Sequence, residues 1–450
     1  MPFTKILFEI EEATKLKAQE KAKKDGVSLT AILVNALRSY NSWELEMWLR
    51  GPMIKHIEKH ARKQKKTSWK DFVPEALRRA GAQQLETLNT IKISSDALLQ
   101  NYRYLAEASH KTIFPTLKSN AYGHGLEQVV SILMAESPEY YFVDSYYEAL
   151  RIREVDPAAR VLVWGYIPHE NIWKVQFEWV TPAVGDIDSL KIIASQKRDV
   201  TIHLKVDTGM NRAGFSPSDI PAVLDILQQS QNLDLEGVST HFADADNPDP
   251  VMTNAQIDRF IDVIQQVHNV WFAPKYTHLS NSTGLFKESV WNAARPGISL
   301  YWVNPLVQFD LHTSHYNPLS PALTLTTKLV ALRELQKWDG VSYNHTFEAE
   351  GPHRIWVIPF GYQEWLPRSL SNTGYLSKRW KKLPIIWRVC MNHTMLDLSS
   401  LPNAKVEDEI TIISGEKEGA SSIYEMADQQ HTIPYEVYTR LDSSIRRIII

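Results

Sequence analysis

The stretch FPTLKSNAYGHG (114–125) places a lysine directly after an apolar run. The run has the composition of a buried strand, and Lys118 follows it. Gly123 and Gly125 bound the turn beyond the lysine, and glycine adopts backbone conformations that other residues avoid. A single lysine at a strand end is usually a surface charge, so its meaning depends on how the other strands end.

Short apolar runs recur from residue 87 onward, and helical stretches such as 219–229 and 254–269 separate them. The eight runs are TIFPTL (112–117), YYFVD (140–144), RVLVWG (160–165), WVTPAV (179–184), VTIHLKV (200–206), LEGVSTHF (235–242), KYTHLS (275–280) and WNAARPG (291–297). This alternation predicts an α/β fold in which residues 87–320 form a parallel (β/α)8 TIM barrel.

Beyond residue 320 the pattern changes to strand-like segments joined by turns, such as ALTLTTKLVALREL (322–335) and RIWVIPF (354–360). We therefore predict a mostly β domain over residues 321–450. The final RRIII is far too short to span a bilayer. It predicts a terminal strand.

Polar residues close five of the eight barrel runs. In a parallel barrel the carboxyl ends of all strands meet at one face, where active sites form. The residues at these ends are Lys118, Lys205, Asp207, His241, Ser280, Asn281 and Arg295. We expect them to converge on one catalytic face.

These residue types suit an aldehyde cofactor that carries a phosphate. An amine that bonds an aldehyde must be neutral part of the time, and burial lowers the pKa of a lysine. Loops after the last two barrel strands commonly bind phosphate. Here they offer the hydroxyl of Ser282 and the backbone N–H groups of Gly297 and Ile298.

Bulk properties exclude several classes of protein. The 450 residues carry a formal net charge of −3, which gives no general reason to bind nucleic acid or a membrane. Cys390 is the only cysteine, so an intramolecular disulfide and a cysteine-rich zinc site are both excluded. We predict no metal site. Since the N-terminus lacks the features of a signal peptide, we expect a cytoplasmic protein.

Residues 1–86 differ in composition from the rest. A strand, a charged helix, a glycine-containing turn and a helix capped by Ser28 follow one another in residues 1–50. This order resembles the ribbon-helix-helix fold, whose paired strands can bind DNA, so a nucleic-acid partner is one hypothesis. A small dimerisation or docking module is the alternative, because the strand has few donors for base edges. Residues 51–86 predict a basic helical linker.

Several motifs together resemble one enzyme family. LKSNAYGHG resembles the pyridoxal-phosphate motif of alanine racemases, usually Lys-Ala-Asn-Ala-Tyr-Gly-His-Gly. LKVDTGMNRAGF (204–215) resembles a second segment of that family. Seven more follow in the family's order: STHFADAD, HLSNSTG, RPGISLYW, VSYNHTF, PFGYQEWLPR, RVCMNHTM and IPYEVYTRL. The resemblance covers about residue 87 to the end. It implies a pyridoxal 5'-phosphate enzyme that interconverts L-alanine and D-alanine and supplies D-alanine for peptidoglycan.

The resemblance also assigns roles to matching residues. Lys118 would bond the cofactor, His241 would lie beside its ring, and Arg295 would face the ring nitrogen. Arg212 would contact the cofactor's phenolic oxygen and the substrate, and a carbamylated Lys205 would position Arg212. The phosphate would be held by Tyr122, Ser282, Gly297, Ile298 and Tyr435.

The implied mechanism uses one base on each face of the substrate. Lys118 would serve D-alanine and Tyr343 would serve L-alanine, while Met391 would offer a backbone N–H to the substrate carboxylate. In the family, the tyrosine and this N–H come from the partner subunit, which implies a homodimer. Free tyrosine has a pKa near 10, so nearby positive charge must stabilise its phenolate. Arg295, with a pKa above about 12, would keep its proton and disfavour transamination.

Two segments depart from the family's usual residues. Asn392 stands where the family usually has aspartate, and Tyr362-Gln363-Glu364-Trp365 replaces Tyr-Ala-Asp-Gly. Both would change the substrate entrance, so a serine or broad-spectrum racemase is an alternative. A non-catalytic pyridoxal-phosphate-binding protein is another, although such carriers lack the C-terminal β domain.

Overall fold

The chain divides into two compact units, residues 1–87 and 88–450. The computed structural model describes residues 86–286, 291–304, 318–343, 347–378, 381–416 and 421–450. The predicted ribbon-helix-helix-like extension (1–50) and basic linker (51–86) lie outside the described residues, except at position 86. Within the described part of the chain, no helix is long and apolar enough to cross a membrane.

A parallel sheet forms the first part of the larger unit. Its strands are β2 (Thr112–Ile113), β3 (Tyr141–Val143), β4 (Val161–Val163), β5 (Val180–Val184), β6 (Val200–Lys205), β7 (Leu233–Ser239), β8 (Tyr276–Ser280) and β9 (Ala293–Ala294). They are ordered β2-β9-β8-β7-β6-β5-β4-β3. The two ends also meet, because Leu117 N–H donates to Phe142 O (2.8 Å) and Phe142 N–H donates to Pro115 O (3.0 Å). The sheet is closed, which confirms the predicted eight-stranded barrel.

Helices precede and connect the barrel strands. They are α1 (Ser95–Ser109), α2 (Leu126–Leu133), α3 (Tyr146–Val155), α4 (His169–Ile172), α5 (Ile187–Ala194), α6 (Ile220–Gln229) and α7 (Val251–Asn269). Local sequence sets where several begin. Ser145 and Glu148 form a capping box at α3, and Asp186 accepts the Ser189 N–H at the start of α5.

Barrel strands are buried on both faces, as expected for a parallel sheet covered by helices. Strand β4 shows the division. Leu162 packs inside the barrel, whereas Val161 and Val163 belong to the larger core that includes the helices. The interior cluster consists of Phe114, Tyr140, Phe142, Leu162, Trp164, Tyr276 and Ala293.

The C-terminal part is built around a nine-stranded sheet. Its members are β1 (Thr90–Ile93), β10 (Leu323–Lys328), β11 (Ala331–Leu335), β12 (His353–Ile358), β13 (Tyr375–Lys378), β14 (Lys381–Ile386), β15 (Thr394–Asp397), β16 (Glu409–Ile413) and β17 (Arg446–Ile449). They are ordered β11-β12-β15-β14-β13-β16-β10-β1-β17. Two helices accompany them: α8 (Ile423–Gln429) and α9 (Pro434–Thr439). The predicted mostly β region is confirmed.

The first and last described strands lie side by side. Strand β1 pairs with β10 in antiparallel fashion and with β17 in parallel. The terminal strand predicted from RRIII is therefore confirmed. The sequence pattern did not indicate β1, and the predicted barrel region began at residue 87. Because both described partners of β1 follow the barrel, residues 90–93 belong to the C-terminal sheet instead. Ile91 and Ile93 are buried in it and the alternate residues are half-buried.

Candidate active site

The turn that follows the first barrel strand is left-handed. Four consecutive residues, Ser119 to Tyr122, have φ between 52° and 56°. L-residues other than glycine rarely adopt this conformation, because each one costs about 1–2 kcal/mol there. Two side chains hold the turn: Asn120 Oδ1 accepts the Leu126 N–H (2.9 Å), and Glu148 Oε1 accepts the Ser119 N–H (2.7 Å). The strand thus delivers Lys118, and the turn delivers Tyr122, to the same end of the barrel.

Lys118 lies at the mouth of the barrel in a partly buried position. Burial lowers the pKa of its amine, the carboxylate of Asp144 opposes that shift, and the positive charges of Arg212 and Arg295 add to it. A lysine whose charge is disfavoured in this way spends more time as the neutral nucleophile that an aldehyde requires.

A small polar cradle lies beside the turn. Ser282 Oγ accepts the N–H groups of Gly297 (2.9 Å) and Ser299 (3.2 Å). The Tyr122 hydroxyl lies against Gly297, where a Cβ atom would overlap it. The ring of Tyr435 is 6.3 Å from that of Tyr122. The structure therefore brings together all five residues predicted to hold the phosphate: Tyr122, Ser282, Gly297, Ile298 and Tyr435.

Arg295, which follows β9, is 3% exposed. Its Nη1 group donates to the carbonyl oxygen of His278 (2.6 Å) and to the imidazole Nδ1 of the same residue. Its Nη2 group donates to Thr240 O (2.7 Å). The Nε–H is buried and has no partner among the described residues. The guanidinium therefore keeps one buried donor free for a ligand.

The charge of Arg295 also affects its neighbours. Burial, and then the charge of Arg295, lower the pKa of His241 to about 3, so this imidazole is neutral near pH 7. Burial lowers the pKa of Arg295 itself to about 9. The sequence predicted a pKa above about 12 for this residue. At the lower pKa, the guanidinium remains protonated near neutral pH.

The loop after β6 carries Lys205 and Arg212. The Asp207 carboxylate accepts the N–H groups of Gly209 (3.0 Å), Asn211 (2.9 Å) and Arg212 (2.7 Å), which fixes the loop backbone. Burial, and then the charge of Arg212, lower the pKa of Lys205 to about 8. The Lys205 amine lies 4.3 Å from the centre of the Trp164 ring.

Tyr343 and Met391 belong to the C-terminal domain and are 73% and 55% exposed. Among the described residues, no hydrogen bond, ion pair or ring contact joins either residue to Lys118 or Arg295. The structure therefore does not bring these two predicted site residues to Lys118 within one subunit. Met391 lies on a loop, and its own carbonyl oxygen accepts the N–H of Gln363 (2.9 Å).

Sequence reasoning missed several residues that contact the site. His278 accepts a hydrogen bond from Arg295, Trp164 lies under both Arg295 and Lys205, and Asp144 influences Lys118. In the barrel interior, the imidazole of His278 also forms a hydrogen bond with His203. A signal was present, because both histidines interrupt apolar strands, in KYTHLS and VTIHLKV. Within the described residues, no group of acidic, histidine or cysteine side chains could hold a metal ion.

Comparison with known proteins gives matches along the larger unit of the chain. Residues 93–305 match the family model described as alanine racemase, N-terminal domain, and residues 322–449 match alanine racemase, C-terminal domain. Alanine racemase 2 of Caldanaerobacter subterraneus subsp. tengcongensis is 31% identical over 80% of this chain and 94% of its own length. The crystal structure of alanine racemase from Bacillus anthracis with bound L-Ala-P is 28% identical, with a TM-score of 0.74, and covers 81% of this chain and 96% of that one. That of Streptomyces lavendulae is 26% identical, with a TM-score of 0.74, over 82% and 98% of the two chains.

Proposed function

We propose, because the chain belongs to the alanine racemase family, that it is a pyridoxal-phosphate enzyme that interconverts L-alanine and D-alanine. The observation that carries the proposal is the unpartnered, buried Nε–H of Arg295 at the end of the barrel that also presents Lys118. A buried donor without a partner is unfavourable unless a ligand accepts from it.

The described residues fit the cofactor at three points. The Lys118 amine would bond its aldehyde, the Arg295 Nε–H would donate to its ring nitrogen, and the cradle of Tyr122, Ser282 and Gly297 would bind its phosphate. Gly297 leaves room for the Tyr122 hydroxyl beside the backbone N–H groups. When bound, pyridoxal phosphate supplies an electron-withdrawing ring that acidifies the α-hydrogen of an attached amino acid.

The two bases act from opposite faces of the substrate. Lys118 takes or returns the proton on the D-alanine side, and Tyr343 does so on the L-alanine side. Because there is a base on each face, the α-carbon can lose a proton to one face and regain one from the other while the substrate stays in place. A tyrosine with a free pKa near 10 needs nearby positive charge to act at neutral pH, and Arg212 is the residue proposed to contact cofactor and substrate there.

The site is shared between two subunits of a homodimer. Tyr343 and Met391 are largely exposed in one chain, which is the state expected of residues that complete a partner's site. In that arrangement Met391 contributes its backbone N–H to the substrate carboxylate. An interface that places a catalytic base across the two-fold axis makes the monomer inactive.

Lys205 is carbamylated in this proposal and positions Arg212. Its pKa of about 8 leaves a fraction of neutral amine near pH 7, which carbon dioxide requires. Labelling with ¹³C-bicarbonate should give a carbamate NMR signal that Lys205→Ala removes. If the signal persists in that variant, the modification lies elsewhere.

A chiral assay of the purified protein with a panel of amino acids tests the proposed function. We expect added pyridoxal phosphate to support racemisation of alanine, with serine and basic amino acids turned over more slowly. If serine or several amino acids were turned over faster than alanine, the proposed substrate would be serine or that broader set instead of alanine. Cofactor binding without racemisation of any panel member would indicate a non-catalytic binding protein, although the match over residues 322–449 argues against that.

Two further proposals concern the setting of the enzyme. Cytoplasmic production of D-alanine would supply peptidoglycan synthesis. Residues 1–50 lie outside both family-model matches, and DNA binding by them remains a hypothesis based on sequence. A gel-shift measurement of the full-length protein across salt concentrations tests it, because binding through phosphate contacts weakens steeply as salt rises. If no shift occurs even at low salt, the alternative for residues 1–50 is a dimerisation or docking module.

A further inference from the structure

The interior of the barrel contains a line of polar side chains among aromatic ones. Arg295 contacts His278 on β8, His278 contacts His203 on β6, and His203 contacts Glu236 on β7. Both histidines are fully buried. The rings of Phe114 and Tyr276 pack around the pair. Burying polar groups here requires that each one finds a partner.

The direction of every hydrogen bond in this line follows from its two ends. Arg295 can only donate, so Nδ1 of His278 accepts, and the proton of a neutral His278 ring is on Nε2. That nitrogen lies 2.8 Å from Nδ1 of His203, which must therefore accept as well. The remaining proton of His203 is on Nε2, 3.4 Å from Glu236 Oε2. A cation is thus linked to a carboxylate through two neutral rings that point the same way.

Glu236 is held as an anion at the far end of the line. It accepts from the Tyr140 hydroxyl, and Arg160 Nη2 lies 3.1 Å and 3.2 Å from its two oxygens. Arg160 precedes β4 and is 40% exposed, so this end lies towards the amino-terminal face of the barrel. Gly237 lets the His203 ring lie against β7, since a Cβ atom would overlap the imidazole.

Arg295 has no carboxylate within ion-pair distance among the described residues, although it is buried. A buried cation without a counter-charge is strongly unfavourable. We propose that Glu236 is the counter-charge of Arg295 and that His278 and His203, with their protons on Nε2, are positioning residues that link the two. They fix the guanidinium so that Nε–H is its free donor, and they help Arg295 retain its proton when the cofactor ring nitrogen lies opposite.

The arrangement of protons can be measured without any assay of turnover. Histidine-selective ¹⁵N labelling of the full-length holoenzyme should show two buried neutral rings with the proton on Nε2. Substitution of His203 and of His278 by asparagine, one at a time, identifies the two signals. Glu236→Gln keeps an oxygen acceptor of the same shape and should shift the His203 signal. A charged ring, or a proton on Nδ1 in either histidine, would overturn the proposal.

A matched control lies at the same end of the barrel. Glu139 also pairs with Arg160, at 3.1 Å, but has no hydrogen bond to His203 among the described residues. Glu139→Gln therefore removes a carboxylate from the same arginine while leaving the line intact. It should leave both histidine signals unchanged, and an equal shift in the two variants would contradict the proposed link.

The second readout rests on the proposed function. Loss of the Glu236 charge should make Arg295 release its proton more readily to the ring nitrogen, which strengthens the electron sink and favours transamination. A change of half a pKa unit corresponds to about a threefold change in that equilibrium. We expect Glu236→Gln to raise the ratio of transamination to racemisation about threefold, and Glu139→Gln to leave it unchanged. An unchanged ratio in Glu236→Gln would show that the carboxylate does not act on Arg295. Absence of racemisation in the unmodified protein would instead contradict the proposed function, and the NMR result would stand separately.

Discussion

Asn392 donates a side-chain hydrogen bond to Glu364, with 2.8 Å between Nδ2 and Oε1. Each residue lies in one of the two segments that depart from the usual alanine racemase sequence. The other Glu364 oxygen accepts the Gly361 N–H (2.8 Å), and Gly361 packs on the backbone of Met391. The two departures are therefore in contact, and together they fix the loop that carries a proposed substrate-binding residue.

Restoring the family's aspartate at position 392 should destabilise this loop. Asn392→Asp replaces a hydrogen bond by two adjacent carboxylates, so we expect a loss of about 1 kcal/mol in the free energy of unfolding at pH 7. The loss should shrink near pH 4, where one carboxyl is protonated. Urea denaturation at both pH values measures it. Adding Glu364→Gln should recover most of the stability, and an equal loss at both pH values would contradict the charge explanation.

Gly123 ends the left-handed turn after Lys118 and should not tolerate a side chain. Its φ is 78°, and a Cβ atom would overlap the carbonyl oxygen of Tyr438. We expect Gly123→Ala to lower the free energy of unfolding by about 2 kcal/mol or more, since strain and a steric clash combine. Gly351 is the matched control, because a methyl group added there would meet no atom within 4 Å. Thermal unfolding should separate the two variants, and similar effects would show that the turn is not constrained.

The sequence predicted most of the fold because the barrel strands are short, apolar and separated by helices. It also predicted that Lys118, Arg295 and the polar residues around Ser282 lie at one face, since the carboxyl ends of parallel strands must meet there. It could not predict the left-handed turn at 119–122, because none of those four residues is a glycine. That conformation depends on tertiary partners such as Glu148.

Other features could not be predicted from the sequence because they depend on pairing between distant segments. Strand β1 has only four residues, and its partners β10 and β17 lie more than 200 residues away in sequence. The line from Arg295 to Glu236 requires three different strands to present polar side chains to one interior. A single strand such as VTIHLKV shows a histidine but not what it contacts.

Buried His124 should make the protein sensitive to acid. Burial lowers its pKa to about 3, whereas an unfolded histidine titrates near 6.5. Between these values the unfolded chain binds a proton that the native protein does not, so stability is lost as the pH falls from about 6.5. His124→Phe keeps a ring against Tyr301, 4.2 Å away in the native pair. Between pH 7 and pH 5, the free energy of unfolding of the His124→Phe variant should fall by about 2 kcal/mol less than that of the unmodified protein.

Urea denaturation at a series of pH values provides the test for His124. The same substitution at His268, which is exposed on α7, serves as the control and should keep the unmodified slope. If His124→Phe and His268→Phe give the same slope, the acid sensitivity arises from other groups.

Complementation between two inactive variants tests most directly the claim that Lys118 and a partner's Tyr343 form one two-base site. Lys118→Ala and Tyr343→Phe homodimers should each have little racemase activity, since every site lacks one base. Mixed subunits form heterodimers with one intact site and one doubly substituted site. With random assortment, the mixture should recover about a quarter of the unmodified activity. Activity no higher than the average of the two separate variants would contradict the shared two-base site.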